Sequence, residues 1–286
     1  MIQQILTHPG SAHKDEFLAC CLLIATHQVP VVRREPSAED LADPSTLVVD
    51  VGGEHDPARG NFDHHQFPAD APPICALSLV MMHLGIYEDA RLFCDWLEPA
   101  EWFDTKGPVK TAEWLQVPRE ALSKLHSTID VTVLRRFAAS AKLEPGQVIW
   151  ELMQMIGSDL LYYLNTMRER IQLLEKHLQF WPFEQNQETF TAVFLPRIET
   201  GMEDLSGAIS RHLRNIGRDQ EVVAMIYPDR RGEGYGLSRH NDHPRLDFTR
   251  IADHPQVHFA HPRGFVAKTS VTDLAILREF VLTSWK

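Results

Sequence analysis

The chain has 286 residues, 44% of them hydrophobic, and a formal net charge of −11. That length supplies core for one large domain or two modest ones. No apolar run reaches the ~18 residues needed to span a bilayer, so no membrane association is expected. The whole acidic surplus lies in residues 1–185, while residues 186–286 carry 13 acidic and 13 basic side chains, 11 of the latter Arg. An acidic chain of this kind is a poor non-specific binder of long duplex nucleic acid, and its neutral C-terminal part is the better place for phosphate contacts. The start, Met1 to Leu6, lacks a basic segment ahead of an apolar one, so no signal peptide is expected. The four cysteines, Cys20, Cys21, Cys75 and Cys94, form no CxxC pair, which fits a reducing cytoplasm.

In chain order, Ile2 to Leu6 reads as a strand. The run His8-Pro-Gly-Ser-Ala-His13-Lys-Asp15-Glu16 follows and leads into a helix over Asp15–Thr26. The helix segment FLACCLLIA is apolar nearly all round, as a helix buried against a sheet would be. Glu16 reads equally as a first-turn acid favoured by the helix dipole and as an outer partner of a nearby site. Val29 to Arg33 is a second strand, and Ser37 to Leu41 a short capped helix. Thr46 to Val51 is a buried strand of β-branched residues, closing on Asp50-Val-Gly-Gly53. After a turn at Asp56–Gly60, Phe62 leads straight into Asp63-His64-His65. This βαβα alternation predicts an α/β fold with a parallel sheet.

A helix over Ala76–Gly85 ends at its glycine, and an aromatic-bearing helical stretch continues through Trp102 to Asp104-Thr105-Lys-Gly107. Residues from about 119 to 181 read as mostly helical, with Ile149–Trp181 one long amphipathic helix ending near Pro182. Such a helix links domains, and it also suits a homodimer. From Thr189 the pattern turns α+β. Strands are expected at Thr189–Leu195, Glu221–Tyr227, Gly234–Arg239, Val257–Phe259 and Gly264–Lys268, with a helix inside Gly201–Asn215 and another from Thr272. The predicted organisation is a metal-binding catalytic domain over 1–145, a connecting helix over 146–185 and a smaller C-terminal substrate-binding domain over 186–286.

Open α/β sheets bind ligands off the carboxyl ends of their strands. Three segments distant in sequence would then bring His8, His13, Asp15, Asp50, Asp63, His64 and His65 to one crevice. Each run alone is a weak signal; their conjunction carries the reading. Imidazole with carboxylate suits borderline or hard divalent ions, and the lack of cysteine argues against a structural zinc cage. A carboxylate within Val-Val-Asp-Val would be costly without a partner, and a cation provides one.

The runs HPGSAHKDEF, VVDVGG and NFDHHQ, in this order and spacing, resemble the DHH phosphoesterase superfamily. The His-x-Gly-x-x-His-x-Asp-Glu form of the first run resembles its MYG exonuclease branch. The resemblance implies an N-terminal α/β domain holding two divalent ions, Mn²⁺ or Mg²⁺, and a smaller C-terminal substrate domain. Carried over motif by motif, His8 and His13 would hold one ion, Asp15, His64 and Asp104 the other, and Asp50 would bridge. Asp63 would orient an imidazole, and His65 would face the phosphate or leaving group. Asp104 enters as the superfamily's fourth motif, with Asp89, Asp95 and Asp130 as competitors. A ligand set this rich in nitrogen suits Mn²⁺ over Mg²⁺.

His258-Phe-Ala-His261-Pro-Arg263-Gly264-Phe-Val resembles the branch's terminal motif. The Gly-rich run found elsewhere in the superfamily is absent. The substrate candidates are His261, Arg263, Gly264 and Arg239, with a surface salt bridge as the rival role for Arg239. The implied activity is 3′-to-5′ exonucleolytic hydrolysis of short single-stranded RNA. Two alternatives stand beside it. The acidic surface, and the lack of an aromatic-rich groove for single strands, point to a small phosphorylated molecule such as pyrophosphate or a cyclic dinucleotide. A non-catalytic metal-binding relative is the other.

Overall fold

The first strand, β1 (Gln4–Thr7), is buried from Ile5 onward and opens a βαβ pattern. The computed structural model describes residues 1–124, 127–199 and 204–286. The chain divides into two units, Met1–Asn165 and Thr166–Lys286. In the first, β1 leads to α1 (Lys14–His27), β2 (Val31–Arg33), α2 (Ala38–Ala42) and β3 (Thr46–Val49). A two-residue hairpin follows, β4 (His55–Asp56) with β5 (Asn61–Phe62). The helices α3 (Ala76–His83), α4 (Tyr87–Phe93), α5 (Leu97–Leu115), α6 (Arg119–Ser123) and α7 (Thr128–Ala138) come next. A short β6 (Lys142–Leu143) and the long α8 (Val148–His177) complete the set.

The sheet order is β4-β5-β3-β1-β2-β6. Its four central strands run parallel, as the alternation predicted, and both edges are closed by antiparallel two-residue strands. Helix α1 begins after His13, whose backbone N–H donates to the Glu16 carboxylate at 2.7 and 2.8 Å. It ends at Gln28, which takes the left-handed conformation at φ 56. Phe17 and the whole stretch Ala19–Ile24 are buried, each large side chain contributing roughly 1.5–3 kcal/mol. Helix α8 comes so close to α1 that a Cβ at Gly157 would lie 2.0 Å from the Cys21 carbonyl oxygen.

The second unit begins within α8, at Thr166, and continues with β7 (Gln179–Gln185), which pairs with β8 (Glu188–Phe194) across Asn186-Gln187. Both turn residues have positive φ, 53 and 64, as a tight hairpin requires. The expected helix over 146–185 therefore stops at His177: the run expected to stay helical to Trp181 leaves the helix and becomes an edge strand, where Pro182 is tolerated. Helix α9 (Ile209–Asn215) is preceded by a 3₁₀ turn at Leu205–Ala208, and the expected helix start at 201–203 lies outside the described residues. Strands β9 (Val222–Pro228), β10 (Tyr235–Arg239), β11 (Val257–Ala260) and β12 (Val266–Thr269) and the final α10 (Leu274–Ser284) follow. The sheet order is β11-β12-β10-β9-β8-β7. Only β8 and β9 run parallel among its pairs. Trp181, Phe190, Phe194, Phe248, Phe280 and Trp285 dominate its core.

Candidate metal centre

The parallel register places three strand ends level. Thr7 pairs with Val49, and Val49 with Phe62. The residues that follow, His8, Asp50 and Asp63, leave the sheet together at its carboxyl edge, where such sheets bind ligands. Asp50 does so with φ 60, a strained conformation for a residue with a side chain. That turn ends β3 at Val49, two residues short of the expected Val51. The Asp50 N–H stays anchored on the Phe62 carbonyl at 3.1 Å.

Asp50 sits between two imidazoles. Its Oδ2 is 3.5 Å from His8 Nε2 and its Oδ1 is 3.1 Å from His64 Nε2. Asp104, on α5, places Oδ2 3.0 Å from His64 Nε2 and Oδ1 3.9 Å from His13 Nδ1. Asp15 and Glu16 come from the first turn of α1, and both are buried. Among the described residues, three groups bring ligand atoms within 4.8 Å of one another: His8, His13, Glu16 and Asp50; Asp50, His64 and His65; His13, Asp15 and Asp104. Asp50 belongs to two of them and His13 to two.

Several of these atoms have no hydrogen-bond partner although they are buried. They are both oxygens of Asp15, Asp50 Oδ1, His64 Nε2 and Asp104 Oδ2. Buried polar atoms are nearly always paired, so a set of unpaired donor atoms converging on one crevice has the form of a cation site. The electrostatics agree. Burial, then the nearby Asp50, Asp104 and Glu16 carboxylates, push the Asp15 carboxyl well above the usual range. Contacts with Asp50 and Glu16 raise His8 to about 10 against its burial. His64 also rises to about 10, because Asp104 and Asp50 outweigh the burial that opposes its charge. Burial likewise works against Asp50, yet His64 and His8 bring it down to about 2. The pocket thus gathers more carboxylates than it can hold ionised by itself, and a donor set of imidazoles and carboxylates fits a divalent cation.

Asp63 works behind the crevice. Its Oδ2 accepts the Gly53 N–H at 2.6 Å, and its Oδ1 accepts the His65 N–H at 3.1 Å and lies 2.7 Å from His65 Nδ1. One carboxylate therefore fixes both the Val-Gly-Gly turn and the ring of His65. Pairing with it assigns the His65 proton to Nδ1 and leaves Nε2 free on a side chain that is 63% exposed.

Three supporting residues lay outside the seven-residue reading. Glu16, which sequence reasoning left between two roles, sits in the first turn of α1, accepts the His13 N–H and lies 3.3 Å from His8 Nε2. Arg33, at the end of β2, is buried and donates to the Gly10, Ser11 and Phe137 carbonyls at 3.3, 3.0 and 3.2 Å. Its guanidinium also lies 4.5 Å over the Phe137 ring. It clamps the loop that carries His8 and His13. Glu101, fully buried one turn before Asp104, accepts from Ser78 Oγ at 2.7 Å and Tyr87 Oη at 2.8 Å and fixes that part of α5. Just beyond Asp104 the helix breaks at Gly107, φ 77. The competitor Asp130 is engaged elsewhere, capping α7 through Ser127.

The C-terminal candidates meet at one turn of the second unit. Gly264 has φ 69, and a Cβ there would lie 2.2 Å from Asp247 Oδ1. His261 Nδ1 accepts the Arg263 N–H at 3.1 Å. Arg239 donates to the Arg263 carbonyl at 3.1 Å and pairs with Asp242 at 2.9 Å, which engages it within the turn. The Arg263 side chain is exposed.

Residues 4–72 match the family described as MYG1_exonuc, uncharacterised protein family UPF0160. The MYG1 exonuclease of Homo sapiens is 46% identical over 65 residues, which are 22% of this chain and 17% of the human protein. That of Rattus norvegicus is 46% identical over 98 residues, 29% of this chain and 25% of the rat protein. The MYG1 protein of Chlamydia muridarum (strain MoPn / Nigg) is 45% identical over 62 residues, 21% of each. The similarity thus spans no more than a quarter of these relatives. The family match falls on the strand ends and loops that carry His8, His13, Asp15, Asp50 and Asp63 to His65, and over residues 4–72 the chain is similar to that family.

Proposed function

We propose that this protein is a metal-dependent phosphodiesterase that removes nucleotides from the 3′ end of short single-stranded RNA, working with two divalent ions, Mn²⁺ in preference to Mg²⁺. The observation that carries this reading is the convergence of unpartnered Asp15, Asp50, Asp104 and His64 atoms on one crevice, with the two oxygens of Asp50 facing different imidazoles. His8 and His13 would hold one ion and Asp15, His64 and Asp104 the other, with Asp50 shared and Glu16 behind His8. Bound there, the ions would supply a water that is acidic enough to attack at neutral pH and positive charge against the phosphate. Asp63 holds His65 through Nδ1 with Nε2 outward; once Nε2 has taken up a proton from solvent, the imidazolium, stabilised by Asp63, can give that proton to the departing oxygen. Arg263 and His261 are the substrate contacts in this reading, while Arg239 shapes the turn that presents them.

The test is Mn²⁺-dependent release of mononucleotides from an end-labelled oligoribonucleotide. Asp50→Asn should cut the rate by about 10³-fold or more, the equivalent of several kcal/mol of lost charge stabilisation. Wild-type and variant rates that are equal, or cleavage of pyrophosphate or a cyclic dinucleotide with none of RNA, would overturn it.

A further inference from the structure

The second unit carries a row of rings at its surface. Phe259, at the end of β11, is 43% exposed, and Phe265, just before β12, is 38% exposed. Neighbouring exposed rings on one ribbon form a contiguous apolar patch of the kind that interaction sites use. His261 lies between them, with its ring centre 6.4 Å from that of Phe259 and 4.0 Å from that of Phe265. In the sequence the two phenylalanines stand six apart on either side of His261, and the turn at Gly264 folds them onto it.

Positive charge lies alongside. The guanidinium groups of Arg263 and Arg231 have no acidic partner among the described residues. Beside Phe259 a cavity of about 650 Å³ opens, lined by Arg231 and Lys268 together with Asp229 and Glu233. Lys268 is held 2.9 Å from the buried Asp229, so its ammonium is fixed in place at the cavity wall. Duplexes hide the faces of their bases, whereas single strands expose them to aromatic side chains.

We propose that Phe259, His261 and Phe265 form a stacking platform for the bases of a single-stranded nucleic acid, with Arg263, Arg231 and Lys268 facing its phosphates. The assignment deepens the exonuclease reading and rests on it for the choice of RNA over DNA. It takes the substrate away from small phosphate esters, which have no run of bases to stack.

Binding is measured on the whole 286-residue chain in EDTA, where nothing is cleaved, by fluorescence anisotropy of a labelled single-stranded oligoribonucleotide of about ten nucleotides, a length within the site sizes of such platforms. Phe259→Ala and Phe265→Ala should each weaken binding about 5- to 150-fold, the equivalent of 1–3 kcal/mol per stacked base. Phe259→Leu, which keeps apolar bulk and loses the ring face, should be as weak as Phe259→Ala, while Phe259→Trp should bind like wild type. Arg263→Gln should lower the salt dependence by about one ion. Thermal unfolding checks that each variant is folded. Wild-type affinity in Phe259→Leu, equal affinity for a duplex of the same sequence, or no binding by the wild type would overturn the platform. Ring-dependent binding with no cleavage in Mn²⁺ would support the platform and remove the hydrolase reading. Hydrolysis of small esters with no oligonucleotide binding would overturn both the platform and the RNA substrate, leaving a hydrolase of small phosphate esters.

Discussion

Asp50 shows how one residue joins backbone and chemistry. Its positive φ ends a strand and turns its carboxylate toward both His8 and His64. Its placement was legible in Val-Val-Asp-Val-Gly-Gly because an acid in a buried strand demands a counter-charge. Arg33 was not legible: its contact with Phe137 spans 104 positions of sequence, and no local pattern distinguishes it from any other strand-end arginine. It holds the His8–His13 loop through carbonyls alone, so Arg33→Met should loosen the loop without removing a ligand. Mn²⁺ affinity, read by titration with electron paramagnetic resonance, should fall on the order of tenfold, as outer-shell losses do. Excess Mn²⁺ should restore the turnover of Arg33→Met, and an unchanged affinity would show that the clamp is not needed for metal binding.

At the scale of elements, period and punctuation were the readable parts. The parallel strands β1, β2 and β3 and the buried α1 followed from apolar runs and their caps. The two-residue strands β4 and β6 were not readable, because so short a segment has no period. Strand β7 was read as helix because the amphipathic pattern of α8 runs up to it and Pro182 looked like a terminator instead of an edge residue. The turn at Gly264 depends on Asp247, which accepts from Thr249, pairs with Lys286 at 3.1 Å and presses against the glycine. The Thr249 contact leads the effects that lower the Asp247 carboxyl to about 2. A carboxyl depressed on folding stabilises above its ordinary pKa near 4, and that contribution is lost as pH falls through the folded value. Asp247→Asn should therefore be less stable than wild type in urea at pH 6, with the gap closing between pH 4 and pH 2. A gap that is constant with pH would assign the loss to packing instead.

Over the whole molecule, charge and chemistry are divided. The acidic surplus belongs to residues 1–185, and at the crevice it is concentrated into carboxylates that repel one another. Cation binding should accordingly stabilise the folded protein. At about 100 times the dissociation constant, Mn²⁺ should add about 2.7 kcal/mol, seen as a rise in melting temperature that EDTA reverses. Ca²⁺ at the same concentration should give a smaller rise, since imidazole is a poor ligand for it. No response to any divalent ion would remove the metal centre. The division into an α/β part and an α+β part could be read from where strand and helix patterns change. Which faces of β11 and β12 stay exposed could not, because alternation says that two faces differ without saying which one a core covers.

The contact between Gly157 and the Cys21 carbonyl reaches further than its size suggests. Helix α1 has its middle pinned there, two turns beyond Asp15 and Glu16. Any bulkier residue at 157 would act as a wedge, tilting α1 and drawing both acids out of alignment with their neighbours. Substitution at a site that binds nothing would then mimic loss of a ligand, and inherited or engineered defects in this protein should be sought along that seam as well as in the crevice.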